Sequence, residues 1–318
     1  MKLALAQLAP VFLDREATTD KAADAVHEGA RHGARVVCFG EGLIPAYPLW
    51  LTRVDGARFD EPDLKNLHRI YLEQAVSVER GDLAPVQDAA KEHGVHVVLG
   101  IIERPPDRAG HSVFCSAVVI DDRGAIASCH RKLCPTYEER LAWAHGDANG
   151  LRAHPVGNFT LGALNCFENW MPLARAALHA QGEDLHVAIW PGCERLTEDI
   201  TRFIAREGRS YVASCSSIIR AEDLPENLPL RHEIIGAMEV GGGGADMFYD
   251  GGSCVSDPRG DWVVAPVVGE ETIIYAQIDH AKVLEERQIF DPSGHYARPE
   301  LLRLEVDRRR ITSASFRE

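Results

Sequence analysis

At 318 residues, with 45% hydrophobic and 26% charged side chains, the chain has the composition of an ordinary globular protein and is long enough for one large α/β core. A formal charge of -14 opposes phosphate backbones, and the one basic run is Arg308, Arg309 and Arg310, so nucleic acid is excluded as an expected partner. No stretch approaches the roughly 18 apolar residues a membrane helix needs, so no membrane span or membrane partner is expected either.

In chain order, MKLALAQLAPVFLD carries a brief apolar run broken by Gln7 and Pro10, which suits a first strand better than a signal peptide. No export, and hence a cytoplasmic location, is expected. Apolar runs of strand length follow: RVVCF, HVVLGII, SVFCSAVVI, FTLGALNC, LHVAIWP, SYVASCS, SCVSD, WVVAPV and TIIYAQI. Helical periods lie between several of them, from Asp14 to His32, Leu64 to Val78, Pro172 to Gln181 and Thr197 to Arg209. The alternation predicts an α/β protein. Two neighbouring pairs, VFCSAVVIDDRGAIASCHR and GGSCVSDPRGDWVVAPV, place an Arg-Gly turn between extended runs and predict β-hairpins, so antiparallel strands are mixed with crossover units. The glycine run from Gly241 to Gly244 has no phosphate-binding Lys after it and reads as a mobile loop. No linker or repeat divides the chain, which predicts a single domain over residues 1–318 with a C-terminal tail from about 299.

Three positions carry candidate chemistry. Cys166 ends the strand FTLGALN and precedes a helical segment, where the free N–H groups of a turn stabilise a thiolate or an oxyanion. Glu41 ends the strand RVVCFG among aromatics, surroundings that raise a carboxylate's proton affinity toward that of a general base. Lys132 follows AIASCHR, where a cation can stabilise developing negative charge. Taken singly, each has an ordinary alternative: a packed cysteine, a loop acid, a solvated lysine. The eight cysteines lie mostly in apolar runs such as VVCFG and SVFCSAVV, so they read as small buried hydrophobes in a reducing compartment rather than a disulfide framework. No metal is expected: CHRKLC, from Cys129 to Cys134, lacks paired CxxC ligands, and the fourteen histidines show no HExxH spacing. Trp190 and Trp170 are expected to serve partly as core and partly as pocket wall, and Tyr47 to line the entrance.

The conjunction of FGEGLIPAYP, HRKLCPTYEER and NCFENWMPL resembles the nitrilase superfamily, whose enzymes use a Glu, Lys, Cys triad in this chain order. The resemblance runs from AQLAP through LHVAIWPG and GGSCVSDPRG to DPSGHYARPEL. KLCPTYEERLAWAHGD and DPSGHYARP are similar to the nitrilase branch proper, more than to the amidase, carbamoylase or ureidopropionase branches. It implies Glu41 as general base, Lys132 as cation, Cys166 as nucleophile, and a second glutamate at Glu139, with Glu138 the less favoured neighbour. It implies a four-layer α-β-β-α sandwich with mixed sheets, no cofactor, a small nitrile substrate, and a homodimer or larger spiral homo-oligomer. Nitrilases usually have Trp after the nucleophile. Phe167 stands here, so its N–H is expected to serve an oxyanion while its side chain alters the substrate pocket. The alternatives carried forward are an amidase or carbamoylase, a cyanide hydratase or dihydratase, and a non-catalytic binding protein, the last disfavoured because every triad position holds a competent residue.

Overall fold

The computed structural model describes residues 1–106, 109–237, 246–312 and 314. The glycine run at 241–244 lies outside these described residues. The first half forms β1 (Lys2–Gln7), α1 (Arg15–Arg31), β2 (Val36–Phe39), α2 (Trp50–Arg53), α3 (Pro62–Gln74), α4 (Ala84–His93), β3 (His96–Glu103), β4 (Phe114–Ile120) and β5 (Ile126–Arg131). The second half forms β6 (His154–Val156), β7 (Phe159–Asn165), α5 (Pro172–His179), β8 (Leu185–Trp190), α6 (Glu194–Gly208), β9 (Tyr211–Ser216) and β10 (Ile218–Arg220). It closes with α7 (Arg231–Gly236), β11 (Met247–Ser256), β12 (Trp262–Val268), β13 (Thr272–Gln277) and α8 (His280–Arg287).

Local chemistry sets the element ends. Asp14 caps α1 by accepting from the Ala17 N–H at 3.0 Å. Gly94, at φ +60°, ends α4 in the left-handed conformation that costs glycine nothing. Pro172 fixes the first turn of α5. Both expected hairpins form, as antiparallel β4/β5 and β11/β12.

The strands build two mixed sheets, one ordered β13-β1-β2-β3-β4-β5 and the other β10-β11-β9-β8-β7-β6 with β12 against β11. Side-chain alternation then dictates the layers. In β1, Leu3 and Leu5 join Val36, Cys38, Leu161, Val187 and Ala213 in a core between the sheets. Ala4 and Ala6 face the other way, against Ala22 and Val26 of α1 and Val86 and Ala90 of α4. On the far side of the second sheet, Ile200 and Ile204 of α6 cover Ala188 and Val212, and Ala174 and Leu178 of α5 cover Leu164. The result is the α-β-β-α sandwich. Truncating a residue such as Leu5 to alanine removes contacts to both sheets at once, a change that costs about 2–5 kcal/mol in buried cores.

β1, β2 and β3 run parallel, β4 reverses and β5 returns, so the C-terminal ends of β2 and β5 lie at the same edge. β7 belongs to the facing sheet. The described residues beyond about 299 form turns and irregular chain, yet they are tied down where Asn149 Nδ2 donates to the Arg308 carbonyl at 2.9 Å and Arg310 pairs with Asp147 at 2.9 Å. Among the described residues no helix is long and apolar enough to cross a membrane.

Candidate active site

Glu41 is separated from the end of β2 by one residue, Gly40, and its backbone N–H donates to the Trp190 carbonyl at 3.0 Å, pinning this loop of the first sheet to the end of β8 in the second. Glycine makes the close approach feasible: a Cβ at Gly40 would run into Ser217 Oγ and the Trp190 carbonyl. Lys132 continues β5, and its carbonyl accepts from the Gly146 N–H at 2.9 Å. Cys166 follows β7 at φ +47°, a left-handed conformation rare for a side-chain-bearing residue and typical of constrained turns.

The junction after β7 differs from the sequence expectation of a strand running straight into a helix. A single 3₁₀ turn, Cys166–Trp170, intervenes, and α5 begins only at Pro172. The turn is closed by a capping box between Asn165 and Glu168, so the N–H nearest Cys166 belongs to this turn rather than to the α-helix.

The charged residues converge. Lys132 Nζ donates to Glu41 Oε1 at 2.8 Å and to Glu139 Oε2 at 2.7 Å, and none of the three side chains is more than 3% exposed. Glu139 is held further by the Thr136 N–H at 2.6 Å and the Tyr47 hydroxyl at 3.0 Å. The Cys115 thiol donates to Glu41 Oε1 at 3.4 Å. Glu41 Oε2 is buried with no hydrogen-bond partner among the described residues, leaving that oxygen of the carboxylate free to accept. The reactive atoms of Glu41, Glu139 and Cys166 all lie within 4.8 Å of one another. Such a group offers metal ligands on paper, but the Lys132 ammonium already holds the cation position between the two carboxylates. None of the other metal-capable group, His27, Glu92 and His93, lines the cavity described below.

Electrostatics sort these groups. Burial pushes the Glu41 carboxyl up to about 7; Lys132 opposes the rise, Glu139 adds to it, and the Cys115 hydrogen bond opposes it. Burial alone would pull Lys132 down, but the Cys166, Glu41 and Glu139 groups around it hold it well above its ordinary value, so it stays charged. Burial and the Glu41 charge push the Cys166 thiol well above its usual range, while Lys132 and the Phe167 N–H pull it back. At neutral pH Cys166 therefore rests as a thiol beside a carboxylate able to take its proton, with a fixed cation and a backbone N–H where negative charge would develop.

A cavity of ≈ 450 Å³ opens onto Cys166. Tyr47, Glu139 and Phe167 line it, as do Glu138 and Tyr249. The two tryptophans expected as pocket wall are not brought there. Trp190 is fully buried, with Nε1 donating to Ser214 Oγ at 3.2 Å in the core under α6. Trp170 is 48% exposed on the outside of the 3₁₀ turn and does not line the cavity. Alternation explains Trp190: its neighbour Ile189 faces the inter-sheet core, so Trp190 must face the helix layer.

Sequence reasoning passed over a supporting residue, Glu168. Its wholly buried carboxylate accepts from the Asn165 N–H at 3.0 Å, the Leu133 N–H at 2.8 Å and His130 Nε2 at 3.0 Å. It thereby joins the residue before Cys166 to the residue after Lys132. Burial raises its proton affinity, but His130 and the two backbone donors outweigh that and hold the carboxyl below its ordinary value. The Glu at the third position of a short turn was the available signal, since it is half of a capping box.

The carbon-nitrogen hydrolase family matches residues 2–288. The chain is 34% identical to "Nitrilase 2" of an unknown prokaryotic organism over 99% of this chain and 95% of that one. It is 33% identical to a "Nitrilase" of Pseudomonas syringae pv. syringae over 96% of this chain and 89% of that one. Among solved structures, an amidase from Nesterenkonia sp. superposes with a TM-score of 0.63 at 17% identity, covering 91% of this chain and 94% of that one, which bears on the fold alone.

Proposed function

The chain belongs to the carbon-nitrogen hydrolase family, and from that premise we propose that it is a nitrilase, converting an organic nitrile and two waters to a carboxylic acid and ammonia. The observation that carries the reading is the Lys132 ammonium clamped between two buried carboxylates, with a Glu41 carboxylate oxygen within 4.8 Å of Cys166 Sγ.

Glu41 takes the thiol proton as Cys166 Sγ bonds to the nitrile carbon; one carbon-nitrogen π bond breaks and the nitrogen receives the proton, giving a thioimidate. Water adds to this carbon, with Glu41 taking one of its protons and passing it to the nitrogen; the second follows from the hydroxyl as the nitrogen leaves. Lys132 and the Phe167 N–H stabilise the negative charge in the tetrahedral states. The carbon-nitrogen bond then breaks and ammonia leaves, so a thioester remains. A second water hydrolyses it, releasing the acid and restoring the thiol. Glu139 holds Lys132 in place and is itself anchored by Tyr47. No cofactor enters these steps.

The amidase reading keeps the same residues and begins at the carbonyl; the names of the curated relatives favour nitriles. A panel of aliphatic, aromatic and arylacetic nitriles with their matched amides, assayed for ammonia and acid beside Cys166→Ala, separates the two. Ammonia from nitriles that disappears in the variant supports the nitrilase; release from amides alone supports the amidase. Conversion of cyanide to formamide or formate would identify a cyanide-converting enzyme. Residues 1–318 are read as one catalytic domain, a reading supported by the core shared between the two sheets. Eight free cysteines support a reducing, cytoplasmic setting. Exposed Leu173 on α5 and Phe203 on α6 support pairing of helix layers in a homo-oligomer.

A further inference from the structure

Arg53 stands at the C-terminal end of α2 and lines the Cys166 cavity. Its guanidinium lies over the Phe248 ring, 5.6 Å from the centroid, on the wall next to Tyr249. Nε is buried and has no acceptor. Among the described residues no carboxylate pairs with Arg53, whereas half-buried Arg58, whose Nε is also without a hydrogen bond, has Glu233 at 3.5 Å. A guanidinium carries five N–H donors in a planar fork and no acceptor, so an enclosed face without a partner is an unmet hydrogen-bonding demand. The aromatic face beneath it fixes the fork's orientation without satisfying any of those donors.

The chemistry that meets this demand is a planar pair of anionic oxygens. We infer that Arg53 selects substrates bearing a carboxylate at the end remote from the group attacked by Cys166, an inference that rests on the nitrilase reading. Glu138 and Asp250 line the same cavity, so it is no general funnel for anions. Selection comes instead from the direct, paired hydrogen bonds of one carboxylate to one guanidinium. A cavity of ≈ 450 Å³ accommodates a short acyl chain spanning the two groups. The substrate class is then a cyano carboxylate, and the product a dicarboxylate.

The test uses a series of ω-cyano carboxylates of increasing chain length, each against the neutral alkyl nitrile of equal length. For the preferred length, the ratio of kcat/KM values, carboxylate over neutral, is expected to fall roughly 10- to 100-fold in Arg53→Gln, with the loss in KM, and to be partly kept in Arg53→Lys. A ratio that does not move, or a parallel fall with both substrates, would overturn the inference and assign Arg53 a structural part. Binding is read independently by calorimetry on Cys166→Ala, with and without Arg53→Gln. Tighter binding of the cyano carboxylate that Arg53→Gln abolishes supports the inference; equal binding of both ligands refutes it. Silence of the wild type toward every nitrile, with that binding preference intact, would refute the nitrilase reading and leave carboxylate selection by Arg53 standing for the matched amides.

Discussion

Replacing Glu41 by glutamine preserves the shape of the side chain and removes its titration. Burial pushes the folded-state carboxyl from 4.5 up to about 7, so ionising it costs the folded chain more than the unfolded one. Its contribution to stability is complete below about pH 4.5 and is lost as pH rises through about 7. At about 1.4 kcal/mol per pKa unit, the full loss is roughly 3 kcal/mol, most of it between about pH 5 and pH 8. Glutamine resembles the protonated acid at every pH. Glu41→Gln should therefore match the wild type in stability near pH 5 and exceed it by about 2–3 kcal/mol near pH 8, while its turnover falls by at least ~100-fold because no group takes the Cys166 proton. Urea unfolding of both proteins at the two pH values measures the difference, and groups common to both cancel. A stability difference that stays constant with pH, or that changes in the opposite direction, would refute the assignment of a buried, destabilised carboxylate. The gain in stability with loss of activity is the expected exchange at a site built from unfavourable groups.

The acid limb of the kcat/KM profile should show an apparent pKa of about 7, with activity rising above it as Glu41 ionises; a limb near 4.5 would mean that Glu41 is not the base. Lys132→Ala leaves Glu41 and Glu139 buried without their shared cation, so turnover should vanish and denaturation should report a loss of about 3–5 kcal/mol. Glu168→Gln replaces a carboxylate that accepts from Asn165, Leu133 and His130; it should cost about 1.5–3 kcal/mol in stability and lower kcat, and a wild-type kcat would show that this carboxylate does not position Cys166 and Lys132.

The sheet strands were the most legible part of the fold, because residues such as Leu3 and Leu5 against Ala4 and Ala6 bury both faces and leave continuous apolar runs. α1, α3, α5 and α6 likewise declare their period. α4 is harder to read, since its buried stripe is only Val86, Ala89 and Ala90. β6 and β10 span three residues each, too few to display any alternation. At the site, Glu41, Lys132 and Cys166 stand near strand ends, where each alone has an ordinary alternative; the resemblance to the nitrilase superfamily singles them out with Glu139, and the structure brings the four together. What local context does not encode is the partnership across strands: Glu168 reaching Leu133, or the Cys115 thiol, which reads as a buried hydrophobe, facing Glu41. Trp190 illustrates the reverse, since being one residue on in β8 sends a residue expected at the cavity into the layer beneath α6.

The most direct test of covalent catalysis is rapid acid quenching of wild-type protein during nitrile turnover, followed by intact-mass and peptide mass measurement. The expected result is an acyl or imidoyl adduct of the substrate on the Cys166 peptide, absent from Cys166→Ala. Turnover retained by Cys166→Ala, or an adduct mapped to another cysteine such as Cys193, would contradict the account.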